Sequence, residues 1–165
     1  MAMNEQPRAV TLRPVRPDDK DFLFQLYAST RAAELAPLDW GETERTVFLR
    51  MQFDAQCRDY AARFPAAGHQ LILLDDERAG RIWVARSAEE IRLVDIALLP
   101  SACGLGIGTR LLKELIAEAA AAAKPLRLSV PKHNEAARRL YERLGFTLTG
   151  EMTTHFRMEH KNSRQ

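Results

Sequence analysis

One stretch constrains this chain more than any other: Asp95-Ile96-Ala97-Leu98-Leu99-Pro100-Ser101-Ala102-Cys103-Gly104-Leu105-Gly106-Ile107-Gly108-Thr109. It opens as an apolar run that reads as a buried strand. Pro100 has no N–H to give a ladder, so the strand should end there. Gly104, Gly106 and Gly108 then alternate, and Leu111, Leu112, Leu115, Ile116 and Ala119 follow at helical spacing. The unit is strand, glycine loop, helix. Such a loop leaves main-chain N–H groups without partners at a helix N-terminus. Together with the helix dipole they favour an anion, most often a phosphate. Glycine lets that anion approach with no Cβ in the way. Gly108-Thr109-Arg110 is not the Gly-Lys-Ser/Thr of a P-loop, and Thr109 stands where a dinucleotide fingerprint needs its third glycine. A tight strand-to-helix turn with no ligand is the competing reading.

The rest of the chain can be placed around this unit. Its 165 residues suit a single domain spanning 1–165, with 1–8 and 161–165 as loose tails. Ala9 to Val15 alternates as a first strand, and Asp18 or Asp19 can cap a helix striped by Phe22, Leu23, Leu26 and Tyr27. A second helix starts after Gly41 and ends before Pro65, with Val47, Phe48, Met51 and Ala55 expected on its inner face. Three strands on short connections follow: Gln70 to Leu74, Arg81 to Arg86 and Ile91 to Leu99, the last expected to be the longest. Asp75 to Gly80 reads as the first connection and Ser87 to Glu90 as the second. The glycine-loop helix runs to about Lys124 and is stopped by Pro125. Leu126 to Val130 is a strand that the crossover makes parallel to 91–99. Asn134 caps a last helix striped by Ala137, Leu140, Tyr141 and Leu144, and Gly145 ends it. Phe146 to Gly150 and His155 to Glu159 close the sheet as a hairpin. The fold class is therefore α/β, an α+β mixed sheet in the order β-α-α-β-β-β-α-β-α-β-β. An antiparallel meander joins a parallel strand pair, with helices on both faces.

Composition narrows the partners. A net charge of +2 gives no case for a nucleic-acid partner. Cys57 and Cys103 make neither a disulfide framework nor a metal pattern, which sets the metal expectation at none and the compartment at a reducing cytoplasm. The first residues are polar rather than a leader, and no apolar run is long enough to suggest a membrane partner.

Two stretches together resemble the GNAT superfamily of acetyl-CoA-dependent N-acetyltransferases. Ile96-Ala97-Leu98-x-Pro100-x-x-Cys103-Gly104-x-Gly106-x-Gly108 is similar to that family's coenzyme-A pyrophosphate loop, and Asn134-x-x-Ala137-x-x-Leu140-Tyr141-x-x-Leu144-Gly145-Phe146 to its second coenzyme segment. The element order matches the family from Val10 to about Glu159. Cys103 departs from the pattern, since the family usually has Gln or Arg there. A main-chain N–H survives that change but a guanidinium does not. Cys103 is a poor candidate nucleophile, because no histidine lies in the same segment.

The resemblance implies acetyl-CoA as co-substrate and transfer of its acetyl group to a primary amine, by direct attack in a ternary complex. Main-chain groups of Ile96, Ala97 and Leu98 would pair with the pantetheine amides like an added strand. N–H groups of Cys103, Gly104, Leu105, Gly106, Ile107, Gly108 and Thr109 would cradle the pyrophosphate. Asn134 would contact the coenzyme arm and Tyr141 would stand by the thioester sulfur as general acid. A thiol near pKa ~8.5 and a phenol near ~10 make that proton transfer uphill by roughly 1.5 units, about 2 kcal/mol. An attacking lysine-type amine, pKa about 10.4, needs help to become neutral. Asp95 is the first candidate base, because a carboxylate inside an apolar strand has a reason to be there. The plainer reason is an ion pair with Arg92 or a neighbouring strand; Glu34 and Glu90 are weaker candidates. Arg31, Glu34, Trp40, Arg50 and Met51 are candidates for an acceptor groove, and His133 reads as a solvated loop residue. Arg138, Arg139, Glu142 and Arg143 read as a solvated helix face. The acceptor would be a small-molecule or peptide amine, and the resemblance allows a homodimer. The rival functions are a non-catalytic coenzyme-A-binding sensor or scaffold module and a Rossmann-type nucleotide-binding protein, against which the meander argues.

Overall fold

The computed structural model describes residues 8–162. Residues 1–7 and 163–165 of the two expected tails lie outside that range. The described residues form one seven-stranded sheet and four helices: β1 (Val10–Pro14), α1 (Lys20–Leu35), α2 (Glu42–Arg63), β2 (Gly68–Leu74), β3 (Glu77–Arg86), β4 (Ile91–Leu98), α3 (Ile107–Ala121), β5 (Leu126–Pro131), α4 (Glu135–Arg143), β6 (Thr147–Glu151) and β7 (His155–His160). The strand order across the sheet is β1-β2-β3-β4-β5-β7-β6. Only β4 and β5 run parallel; the other neighbours are antiparallel. The expected mixed sheet and element order are therefore present.

Strand alternation assigns the two faces. On β2, Leu71 joins a core built with α1 and α2, around Leu23, Tyr27, Leu49 and Phe53. Its neighbour Ile72 points the other way, into a larger core with α3 and α4, around Leu111, Leu112, Leu126, Leu128, Tyr141 and Met158. Among the described residues no helix is long and apolar enough to cross a membrane.

Four expectations are corrected. Asp75 to Gly80 is not one connection: the turn is Asp75-Asp76 alone, both at positive φ (51° and 68°), and β3 begins at Glu77. A two-residue hairpin turn needs that backbone, usually supplied by Asn-Gly or Asp-Gly, and without a glycine the pair gave no signal. As a result β3, with 10 residues, is the longest strand, not β4 with 8. On α2, Val47 and Met51 are 63% and 59% exposed and Ala55 is exposed too, while Leu49 and Phe53 are buried. The inner stripe continues through Gln56, Cys57 and Tyr60. It turns polar because the end of α2 overhangs a polar groove, so the most apolar phase of the helix is not the buried one. Finally, Asn162 is docked rather than frayed, its amide donating to the carbonyls of Ala119 and Lys124 at the end of α3.

Asp19 precedes α1 but makes no side-chain cap. It is fully buried, accepting two hydrogen bonds from Arg13 on β1 and one from the Arg16 N–H. The Arg13 guanidinium holds this carboxyl far below the usual carboxylate range, against the opposing effect of burial.

Candidate active site

β4 and β5 pair only from Ile91 to Leu93 with Leu126 to Leu128. At that point β4 carries a bulge. Val84 pairs with Leu93 and Trp83 with Asp95, which leaves Val94 as the extra residue. A bulge bends its strand and raises the local twist. β4 stays with β3 as far as Leu98, opposite Gly80, while β5 stays with β7 as far as Pro131, opposite His155. Only glycine fits at position 80, because a Cβ there would lie 2.2 Å from the Ala97 carbonyl oxygen. The two strands diverge into a cleft of about 590 Å³, with Asp95, Ile96, Ala97 and Leu98 on one wall and Ser129, Val130, Asn134 and Tyr141 on the other. The β4 edge facing that cleft carries main-chain groups outside any ladder, which can accept an extended ligand as a further strand.

The glycine loop follows the same strand. After Leu98 the chain makes a short 3-10 turn at Pro100–Ala102. The Cys103 N–H bonds the carbonyls of Leu99 and Pro100 at 3.2 and 3.3 Å, so it is already engaged. The N–H groups of Gly104, Gly106, Ile107, Gly108 and Thr109 donate no main-chain hydrogen bond among the described residues, Leu105 closes a turn over Cys103-Gly104, and Arg110 makes the first helical bond, to Gly106. Gly104 and Gly106 hold φ of 76° and 79°. A Cβ at Gly104, Gly106 or Gly108 would meet nothing within 4 Å, so the loop is open on its outer side. Ile107 is buried beneath the loop and Leu105 is exposed. Five free donors at the mouth of a 15-residue helix suit a diphosphate.

Tyr141 is 7% exposed and packs on Phe146, with ring centroids 5.6 Å apart. Its hydroxyl has no hydrogen-bond partner among the described residues, and the side chain lines the cleft. Burial, then the charge of Asp95, pushes its pKa up to about 12. Asn134 also lines the cleft, but its side-chain oxygen is occupied in capping α4, accepting from the Ala137 N–H at 3.2 Å. Asp95 finds its partner on the neighbouring strand and not in Arg92. Arg81 Nε donates to its Oδ2 at 2.7 Å, and Gln56 of α2 accepts from Arg81 Nη2 at 2.6 Å. Arg92 instead pairs with Glu90, which also receives Arg127.

The suggested acceptor residues separate. Arg31 and Glu34 line the cleft mouth, where Arg31 donates to Glu34 and to the Tyr27 hydroxyl. His133 is paired as well as solvated: its Nε2 lies 3.1 Å from Glu34 Oε1, linking α1 to the loop before α4. Trp40, Arg50 and Met51 lie elsewhere. Trp40 packs on Phe48, Arg50 sits 3.7 Å over the Phe24 ring, and Met51 is on the outer face of α2. Sequence reasoning missed Gln56, Tyr60, Arg81, Ser129 and His155 on the cleft walls. Arg81 was detectable by the same signal as Asp95, a charge inside an apolar strand, once the hairpin turn is placed correctly. Ser129 and His155 carried no local signal. Among the described residues no group of three or more His, Cys, Asp or Glu is arranged to hold a metal.

The comparisons agree with this geometry. Residues 29–146 match the model of the acetyltransferase (GNAT) family. A 64-residue stretch is 42% identical to a 5-NmdU N-acetyltransferase of Pseudomonas phage PaMx11, covering 39% of this chain and 44% of that relative. The chain thus spans under half the length of that curated relative. The PaiA N-acetyltransferase of Thermoplasma acidophilum, solved in complex with coenzyme A, superposes with a TM-score of 0.70 at 18% identity, over 93% of this chain and 99% of that one. A Corynebacterium glutamicum structure described as histone acetyltransferase HPA2 and related acetyltransferase gives 0.67 at 21% identity, over 95% and 98%. Likeness at such identities speaks for the fold, and the family match, over more than half of the chain, for its membership. With its splayed strands, its glycine loop and a family model matched across both, this chain belongs to the GNAT family of acetyltransferases.

Proposed function

We propose that this chain is an N-acetyltransferase that moves an acetyl group from acetyl-CoA to a primary amine by direct attack in a ternary complex. The observation that carries this reading is continuity. The unladdered edge of β4 leads directly into a loop with five free N–H groups, and Tyr141 lines the same cleft. When bound there, acetyl-CoA supplies the activated acyl group and the thiolate leaving group. Ile96 to Leu98 hold the pantetheine arm through their main chain. Gly104 to Thr109 hold the diphosphate, and Asn134 takes the coenzyme arm through its amide nitrogen. Cys103 contributes loop shape more than a donor, since its own N–H is engaged. The phage relative's name, a 5-NmdU N-acetyltransferase, supports nitrogen as the accepting atom.

The raised pKa of Tyr141 changes its assigned task. Against a thiol of pKa ~8.5, full proton transfer from a phenol at about 12 is uphill by roughly 3.5 units, about 5 kcal/mol. Tyr141 therefore acts as a protonated hydrogen-bond donor to the developing thiolate, and solvent completes the transfer. Asp95 keeps Oδ1 free while Arg81 holds Oδ2, so it can orient the amine and receive its proton directly or through water. Glu34 and Glu90 are each tied into ion pairs and stay secondary. The enzyme acts as a single domain in the cytoplasm, with Cys57 and Cys103 as free thiols.

The test is amine-dependent thiol release from acetyl-CoA across a panel of small amines and peptide N-termini, beside calorimetry of acetyl-CoA binding. Turnover with a subset of the panel is expected. Tight binding with no release above background hydrolysis would instead identify a coenzyme-A-binding module.

A further inference from the structure

A second groove of about 840 Å³ continues from the cleft and shares Gln56, Tyr60, Ser129 and His155 with it. Its floor is the sheet face over β4, β5 and β7, opposite the core that holds α3 and α4. α1 and α2 pack over the first strands, and only the end of α2 reaches this part. Strand register places the floor residues in rows. Arg92 lies opposite Arg127, and Arg127 opposite Glu159; in the next row Ser129 lies opposite Arg157.

Two arginines side by side on adjacent strands repel. Glu90 bridges them, at 3.0 Å from each, and Glu159 takes Arg127 Nε at 2.9 Å. Arg157 has no ion-pair partner among the described residues, and Arg63 on the wall has only the exposed Asp59, at 3.2 Å. Four arginines therefore face Asp59 and Glu159, with Glu90 behind them. The transfer cleft is balanced by contrast, Arg31 and Arg81 against Glu34 and Asp95. A whole-chain charge of only +2 makes the excess a local feature of this groove. A groove with a local excess of one sign of charge favours ligands of the other, and its volume is in the range of small-molecule sites, ~300–1,000 Å³.

We propose that the accepting amine belongs to a small molecule that also carries an anionic group, a carboxylate or a phosphate, held over the Arg92–Arg127–Arg157 floor while its amine reaches the cleft of Asp95 and Tyr141. This rests on the acetyltransferase reading above and names the acceptor class for the same site. Arg157 is the specificity-determining residue, because its guanidinium is the one on the floor not neutralised by a carboxylate. Polyamines and other polycationic acceptors are disfavoured by the same field.

Matched pairs test this: β-alanine against β-alaninamide for the carboxylate, and phosphoethanolamine against ethanolamine for the phosphate. Thiol release should give the anionic member at least about a tenfold higher kcat/KM, mostly through KM, and the advantage should shrink as KCl is raised. The pair with the larger advantage identifies the anion. Arg157→Gln should collapse the ratio within a pair and Arg157→Lys should keep part of it. Arg58→Gln, the same charge change on the outer face of α2, should leave it intact. A readout independent of acceptor size is inhibition by inorganic phosphate or succinate. It should be competitive against whichever amine is turned over, not against acetyl-CoA, and weakened by Arg157→Gln. Equal rates within both pairs and no such inhibition would overturn the proposal while leaving the transferase reading standing. Acetyl-CoA binding without thiol release for any amine would overturn both.

Discussion

Single residues carry the most local of these arguments. Tyr141 is held by packing in a site that keeps its hydroxyl protonated, with its pKa pushed up to about 12. Tyr141→Phe should lower kcat by about 10²-fold or more, in the range of general acid catalysis, and move the calorimetric Kd for acetyl-CoA little. The wild-type rate should show no alkaline loss from this group below about pH 10, since a phenol at 12 is still protonated there. An alkaline limb near pH 9 that disappears in Tyr141→Phe would contradict the shift. Gly106 holds φ at 79° with open space where a Cβ would go. Gly106→Ala therefore meets strain without a clash, about 1 kcal/mol. That corresponds to roughly 2–4 °C in Tm for a chain of this size. A larger effect on acetyl-CoA affinity than on Tm would place the new methyl in the phosphate cradle.

At the level of elements, the cleft exists because β3 holds on to β4 while β5 leaves it. The bulge at Val94 starts the divergence, and the Arg81–Asp95 pair fastens the two strands just beyond it. Arg81 is 3% exposed and also accounts for the polar phase of α2 through Gln56. Removing it leaves a half-buried carboxylate without its cation. Arg81→Met should cost about 3 kcal/mol in urea unfolding, the low end for a broken buried pair because Asp95 keeps some solvent. Asp95→Asn in the same background should recover part of that loss, giving a coupling above about 0.5 kcal/mol in a double-mutant cycle. Full additivity would show the two side chains to be independent. This element also explains the misplaced stripe on α2. Helical periodicity selects the most apolar face, but Gln56 points inward to accept from Arg81 and Tyr60 to pack edge-on against Trp83 of β3.

At the scale of the whole molecule, the half-buried His69 and the buried Asp19, both on the α1–α2 side, make stability depend on acid. His69 lies flat on Trp83, 4.0 Å between ring centroids. Burial, then the charge of Arg81, pulls its pKa down to about 4. The unfolded chain, with histidine near 6.5, binds this proton first, so stability present above about pH 6.5 is lost as pH falls toward 4. Asp19 acts lower: its folded pKa lies below its unfolded value of ~3.9, so its contribution is present above that pH and lost beneath it. The urea midpoint should therefore fall in two stages on acidification. His69→Gln should remove the upper one, and an unchanged slope between pH 6.5 and 4.5 in that variant would assign the loss to another group.

Much of this protein was legible without coordinates because it is encoded within short windows. Proline and glycine set strand and helix ends, a 3.6-residue period marked α1, α3 and α4, and the free N–H groups of the loop follow from glycine backbone geometry. The residues proposed to bind the coenzyme lie in two such windows, around Gly104 and around Asn134. The acceptor half does not. Arg81 and Asp95 are 14 residues apart, Arg127 and Glu159 are 32 apart, and their meeting depends on strand register. Register is set by the packing of the whole sheet, where a single bulged residue decides which side chains share a face. Local chemistry thus dictated the glycine loop proposed to hold the acyl donor, whereas the charge lining the proposed acceptor groove arose only when distant strands came into register.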